Sequence, residues 1–151
     1  MAATGRECGL MAEAEAAAAA GQGEPDPDIA VVLRSYAAYA RGDIDEAITA
    51  LDPRVEWIEP DEFPDGGLRV GPEAVAAYLR GSRARWARLR SEPVAHRRGA
   101  DIVVVHHVTG TMTDGTEHRM TVADVYTLHD GRVIRMQAYA DPARVPGEPA
   151  G

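Results

Sequence analysis

Three ionisable side chains, Asp124, His107 and Glu59, stand where strand-like alternation sets them among apolar neighbours. Asp124 sits within Val122-Ala123-Asp124-Val125-Tyr126, and Glu59 closes Val55-Glu56-Trp57-Ile58-Glu59 just before Pro60. A carboxyl removed from water is held toward its neutral form, and an imidazole changes charge near neutrality, so one can give a proton while the other takes one. That chemistry removes a proton next to a carbonyl, or protonates an oxygen as a ring closes. Each positioned proton-transfer group is worth on the order of a hundred- to ten-thousandfold in rate, so two or three are sufficient and no cofactor is expected. No spacing of histidines, cysteines and acids is diagnostic of a metal site, and none is expected.

These residues must be brought together by strands. Asp114-Gly115 is a strong two-residue hairpin signal between two β-rich stretches. If Thr113 faces Thr116, then His107 pairs with Val122 and Val105 with Asp124, and paired residues share a face. One face then carries Val103, Val105, His107, Thr109 and Thr111, with His118, Met120, Val122, Asp124 and Tyr126 opposite them. Val104, His106 and Val108 alternate to the other face, where they would leave an apolar surface in water; a homodimer through that face is expected. On the last strand Ile134, Met136, Ala138 and Ala140 fall on even positions, so a glycine bulge at Asp130-Gly131 is needed to bring Met136 to the pocket.

Upstream the period is helical. Ile29, Val32, Leu33, Tyr36, Tyr39 and Ala40 form one apolar face that ends at Arg41-Gly42. Asp43 and Glu46 make a capping box that opens a short second helix. Val55, Trp57 and Glu59 then share one face of a strand, and the acidic stretch from Asp61 to Val70 reads as a loop. Pro72 opens a helix running to about Leu89. Helices first and an antiparallel meander afterwards make an α+β layout, a curved sheet wrapped around helices.

Composition narrows the partners. The chain has 151 residues with a formal charge of −8, and all 16 basic residues are arginines. An acidic surface neither neutralises phosphates nor approaches an anionic bilayer, so neither nucleic acid nor membrane is expected as a partner. The single cysteine, Cys8, cannot form an intrachain disulfide. Residues 1–27, with the run Ala16 to Ala20 and no secretory pattern, read as a disordered tail, residues 28–145 as the domain and 146–151 as a second tail. A cytoplasmic location is the default expectation.

The order of motifs carries a resemblance. Tyr36-Ala37-Ala38-Tyr39-Ala40-Arg41-Gly42-Asp43-Ile44-Asp45, then Asp52-Pro53, Val55-Glu56-Trp57 and Glu59-Pro60, is similar to the opening of SnoaL-like polyketide cyclases and ketosteroid-isomerase-like proteins of the nuclear transport factor 2 superfamily. The close, from Ala123-Asp124-Val125-Tyr126 through Asp130-Gly131-Arg132 to Tyr139-Ala140-Asp141, resembles theirs as well. The resemblance implies a cone-shaped α+β barrel with N-terminal helices packed in a curved, mainly antiparallel sheet. It also implies that Glu59 matches the isomerase's catalytic carboxylate before a proline, and that Asp124 matches the protonated aspartate of its oxyanion hole. The isomerase's helix tyrosine falls on Ser35, beside Tyr36. The aspartate, arginine and aspartate of limonene epoxide hydrolase would fall on His107, Val105 and Ala138, so that triad is absent. A cyclase-type pair of aspartate and histidine is available in Asp124 with His107 or His118.

The expected activity is cofactor-independent acid/base chemistry, cyclase or isomerase-like, on a small hydrophobic metabolite such as a polyketide. Trp57, Tyr36, Tyr39, His118, Met120, Val122, Tyr126 and Met136 are the expected contacts to it. Plainer roles exist for each group. Asp124 could hydrogen-bond a core tyrosine, His107 could be a satisfied core histidine, His118 could meet solvent at the barrel rim, and Glu59 could end its strand in water. The chain would then be a non-catalytic module binding a ligand or a partner.

Overall fold

The computed structural model describes residues 25–147. Helix α1, Pro27–Ala40, starts at Asp26, whose carboxylate accepts from the backbone N–H groups of Asp28 at 2.9 Å and Ile29 at 3.4 Å. Arg97 reaches across from the sheet to both Asp26, at 2.7 Å, and Asp28, at 2.8 Å. The domain therefore begins before residue 28. Pro25 to Pro27, expected in the disordered tail, include the cap and the first helical residue. The expectation for residues 1–24, with Cys8 and the alanine run, and for 148–151 lies outside the described residues.

Asp43 caps as expected, accepting from Glu46 N–H at 3.1 Å and opening α2, Ile44–Ala47, but its own N–H donates to the Ala38 carbonyl at 2.9 Å, so the reciprocal half of the expected capping box is not made. Strand β1, Leu51–Glu59, follows with Val55, Trp57 and Glu59 buried on one face. The acidic stretch is not all loop, because Gly67–Val70 form β2, antiparallel to β1. Helix α3, Pro72–Ala84, is shorter than the expected run to Leu89. Trp86–Arg98 form β3 instead, followed by β4, Asp101–Met112, β5, Glu117–His129, and β6, Arg132–Tyr139. Arginine-rich β3 lies at the edge of the sheet, where Pro93 costs no interior ladder bond.

The six strands make one sheet in the order β2-β1-β6-β5-β4-β3, antiparallel except where β1 runs parallel to β6. Val32 and Tyr36 of α1 and Val75 of α3 join Val55, Trp57, Ile102, Val104, Tyr126, Met136 and Ala138 of the sheet in one core cluster. This is the expected α+β arrangement, a curved and unclosed sheet around a few helices.

The hairpin register differs by one residue from the expected one. Met112 N–H donates to Thr116 at 2.8 Å and Gly115 N–H to Met112 at 3.0 Å, so the loop is Thr113-Asp114-Gly115, with Gly115 at φ +91°. A three-residue loop of this kind places its third residue in the left-handed region. Thr111 therefore faces Glu117, His106 faces Val122 and Val104 faces Asp124. A slip of one residue moves a whole strand to the other face. Val104, His106 and Val108 point inward and are buried, so the residues on which the homodimer was expected offer no outer surface. At Asp130-Gly131 both residues have positive φ, 53° and 77°, as a two-residue turn requires. The irregularity that restores parity lies just beyond the turn, where Leu128 pairs with Val133 but Thr127 with Arg135.

Candidate active site

The concave face of the sheet and the two longer helices enclose a cavity of about 160 Å³. Its floor is set by rows of paired residues. Trp57, Met136 and Tyr126 form one row across β1, β6 and β5, because Trp57 pairs with Met136 and Met136 with Tyr126. Asp124 pairs with Ala138 on one side and Val104 on the other, and Val122 pairs with His106 one step further. Asp124, Glu59, Trp57, Tyr36, Tyr39, Met120, Val122, Tyr126 and Met136 all reach the cavity wall, as expected.

Two expected residues do not. His107 is exposed on the outer face, where its Nδ1 lies 3.0 Å from the Thr121 hydroxyl. His118 is exposed near the hairpin tip, edge-on to Trp86 with ring centroids 6.2 Å apart. His106 takes the inward place instead. Its Nε2 lies 2.6 Å from Ser91 Oγ on β3, and its ring packs edge-on against Tyr36 with centroids 4.7 Å apart. Burial, helped by the neighbouring His107, pushes His106 down to about 4, so the imidazole facing the cavity is neutral.

Asp124 lies within the protein yet keeps some accessible surface, as a cavity wall must. Tyr36 donates its hydroxyl hydrogen to Asp124 Oδ2, and Tyr126 donates in turn to the Tyr36 oxygen at 3.1 Å. Burial, with a smaller contribution from the charge of Glu59, pushes Asp124 up to about 7, against the opposing effect of the Tyr36 hydroxyl. The register places Tyr36, not Ser35, on this carboxyl.

Glu59 is buried, and its Oε2 accepts from the Trp57 indole N–H at 2.7 Å. Burial raises it too, while bonds from Trp57 and Tyr78 and the charge of Arg69 act the other way. Tyr78 and Arg69 were not singled out by sequence reasoning, since Arg69 falls in what reads as an acidic loop. Strand β2 pairs Arg69 with Trp57, so both face inward. The Arg69 guanidinium carbon lies 4.3 Å over the Tyr78 ring, and its buried Nη1 has no hydrogen-bond partner among the described residues.

The helices add a second polar pair. Tyr39 of α1 and Ser82 of α3 share a hydrogen bond of 2.5 Å at the cavity wall. Arg83 donates to the last carbonyls of α1, from Tyr39 at 3.1 Å and Ala40 at 2.9 Å, fixing the end of the helix that carries both tyrosines. At the other end of the cavity Trp86 lies over Gly110, where an added Cβ would come within 2.1 Å of the Arg88 carbonyl oxygen and 2.9 Å of the Trp86 ring. Among the described residues no group of three or more His, Cys, Asp or Glu could hold a metal ion. No described helix is long and apolar enough to cross a membrane.

An open curved sheet wrapped around its helices, with carboxyls facing an apolar cavity, is the NTF2-like cone architecture. Residues 32–136 match the SnoaL-like domain, and the chain belongs to that family. Over 122 residues, 75% of this chain and 88% of the relative, it is 30% identical to an uncharacterized protein of Mycobacterium tuberculosis strain H37Rv. Among solved structures it is similar to an NTF2-like protein from Burkholderia pseudomallei K96243, with TM-score 0.69 and 27% identity over 79% of this chain and 94% of that one. It is also similar to TerC co-crystallized with polyporic acid, with TM-score 0.68 and 25% identity over 78% and 94% of the two chains.

Proposed function

We propose that this protein is a cofactor-independent acid/base enzyme, cyclase or isomerase-like, acting on a small and largely apolar carbonyl compound. The observation that carries the reading is the pair of carboxyls, Glu59 and Asp124, both raised by burial and both facing one cavity. Their surroundings push them apart. Glu59 has donors in Trp57 and Tyr78 and the positive field of Arg69, so it ionises first and serves as the base. Asp124 keeps its proton to about 7 and serves as the acid.

In the reaction, Glu59 takes a proton from carbon next to the substrate carbonyl while Asp124 hydrogen-bonds the oxygen on which charge develops. The enolate is then protonated at another carbon by the Glu59 carboxylic acid, which is isomerisation. Alternatively, its carbon attacks a second carbonyl, whose oxygen takes the Asp124 proton, which closes a ring. Tyr36 and Tyr126 orient Asp124 and share the charge it acquires. His106, neutral and beside Tyr36, replaces His107 as the imidazole of the site. TerC, similar at 25% identity, co-crystallizes with polyporic acid, which supports a small-molecule role for the cavity.

The test needs no native substrate. Proton removal next to a carbonyl exchanges that hydrogen for deuterium in heavy water, which NMR detects on a panel of cyclic enones and 1,3-diketones. The wild type is expected to exchange at least one panel member, with Glu59→Gln and Asp124→Asn slower by on the order of a hundredfold or more at unchanged binding. Bound ligands that exchange no faster than background would favour a non-catalytic ligand-binding module. The occupation of Glu59 by both Trp57 and Tyr78 is what keeps that second reading in view.

A further inference from the structure

The protein has two tryptophans, five tyrosines and one phenylalanine. Every one of these aromatic side chains except Tyr139 lines the single cavity described above. They come from α1, β1, the β1–β2 loop, α3, β3 and β5, so no one element's periodicity explains the concentration. Tyr36 and Tyr126 meet at an interplanar angle of 66°, and Trp57 and Tyr126 at 80°, the edge-to-face arrangement that aromatic rings prefer. A further planar ring would extend this arrangement.

Volume and charge restrict that ring. At about 160 Å³ the cavity is close to the roughly 150 Å³ of an engineered apolar cavity in another protein that binds benzene, so there is room for one ring between its walls. No arginine lines it, and the inward-facing Arg69 has its charge set against the Glu59 carboxylate, so an anionic ligand would meet the charge of Glu59 with no further cation at the wall. Glu59 already has Trp57 and Tyr78 as donors and Asp124 has Tyr36, so neither acid requires a cationic ligand. Polar groups face the cavity from both sides: the carboxyls from the sheet, and the Tyr39 and Ser82 hydroxyls from the helices.

We propose that the natural occupant of this cavity is a neutral molecule built on one planar, unsaturated ring carrying more than one oxygen substituent. The proposal rests on the cavity being the ligand site, as the functional reading also holds, but not on any proton transfer there.

Four probes of one frame separate the properties: 4-hydroxybenzyl alcohol, its saturated counterpart 4-(hydroxymethyl)cyclohexanol, the anion 4-hydroxybenzoate and the cation 4-hydroxybenzylamine. Binding is read by calorimetry, and the site by chemical shifts around Trp57 and Val122. The neutral aromatic alcohol is expected to bind roughly tenfold tighter than each of the other three. Met120→Trp, at a partly exposed position on the cavity wall, is expected to abolish that binding. Equal binding of the saturated probe, tighter binding of either charged probe, no binding of any, or binding that survives Met120→Trp would each overturn the proposal. Failure of deuterium exchange with this preference intact would overturn the catalytic reading alone.

Discussion

Glu59 and Asp124 face the cavity from either side of Ala138. Asp124 pairs with Ala138 across β5 and β6, and the parallel pairing of Trp57 with Met136 brings Glu59 to the same level on β1. Two strand spacings set the two backbones about 10 Å apart. The charge of Glu59 is felt at Asp124 across that distance.

The first prediction concerns pH. The folded value of Asp124, about 7, lies above its ordinary 3.8, so between the two the folded protein holds a proton that the unfolded chain has released. That stabilisation is fully present below the unfolded value and is lost as pH rises through 7. Asp124→Asn is therefore expected to gain stability relative to wild type from about pH 4 to about pH 7, the difference approaching about 4 kcal/mol across that window. Thermal melts across that range check it; parallel curves would mean that Asp124 titrates as an ordinary aspartate.

Arg69 should act on Glu59 without touching the ligand. Arg69→Met keeps an apolar stem over Tyr78 and removes the charge, so the Glu59 carboxyl is expected to titrate at higher pH. Carbon NMR of the Glu59 side chain reads this directly. An unchanged titration would remove Arg69 from the site.

The two adjacent histidines separate the alternative registers. His106→Ala empties a buried position and leaves the half-buried Ser91 hydroxyl without its partner, and is expected to cost about 1–3 kcal/mol. His107→Ala, at an exposed position, is expected to stay within about 0.5 kcal/mol of wild type. Urea denaturation of both variants measures the difference, and the reverse order would contradict the inward placement of His106.

A chain starting at Asp28 should melt below one starting at Pro25, because it loses the Asp26 cap and its pairing with Arg97. The loss is expected to be about 1 kcal/mol, read as a lower Tm. Arg97 holds Asp26 below the usual carboxylate range, so this contribution is lost as pH falls through that depressed value. Identical melting of the two truncations would show that the cap contributes nothing.

What was legible in the sequence followed from strong local periods. The α1 stripe, the Asp43 N-cap and the alternation of Val55, Trp57 and Glu59 each appear where their patterns put them. Asp124 and Glu59 were found on their own strands. The histidine was misplaced because Asp114-Gly115 serves two- and three-residue loops alike, and only backbone geometry at Thr113 decides between them. Strand β3 was hidden because Trp86 and Leu89 also continue the helical spacing of α3, and edge pairing, not local propensity, makes that segment extended. Arg69 carried no local signal, since its role comes from pairing with Trp57 across the sheet.

The contact between Trp86 and Gly110 places control over the cavity at a residue that does not line it. Any side chain at position 110 would displace the Trp86 ring or the Arg88 backbone, so the bare backbone of β4 fixes how deep the indole can sit. A family of otherwise identical proteins could thus change the girth of ligand they admit by exchanging one glycine, with every acid, imidazole and tyrosine of the site left in place.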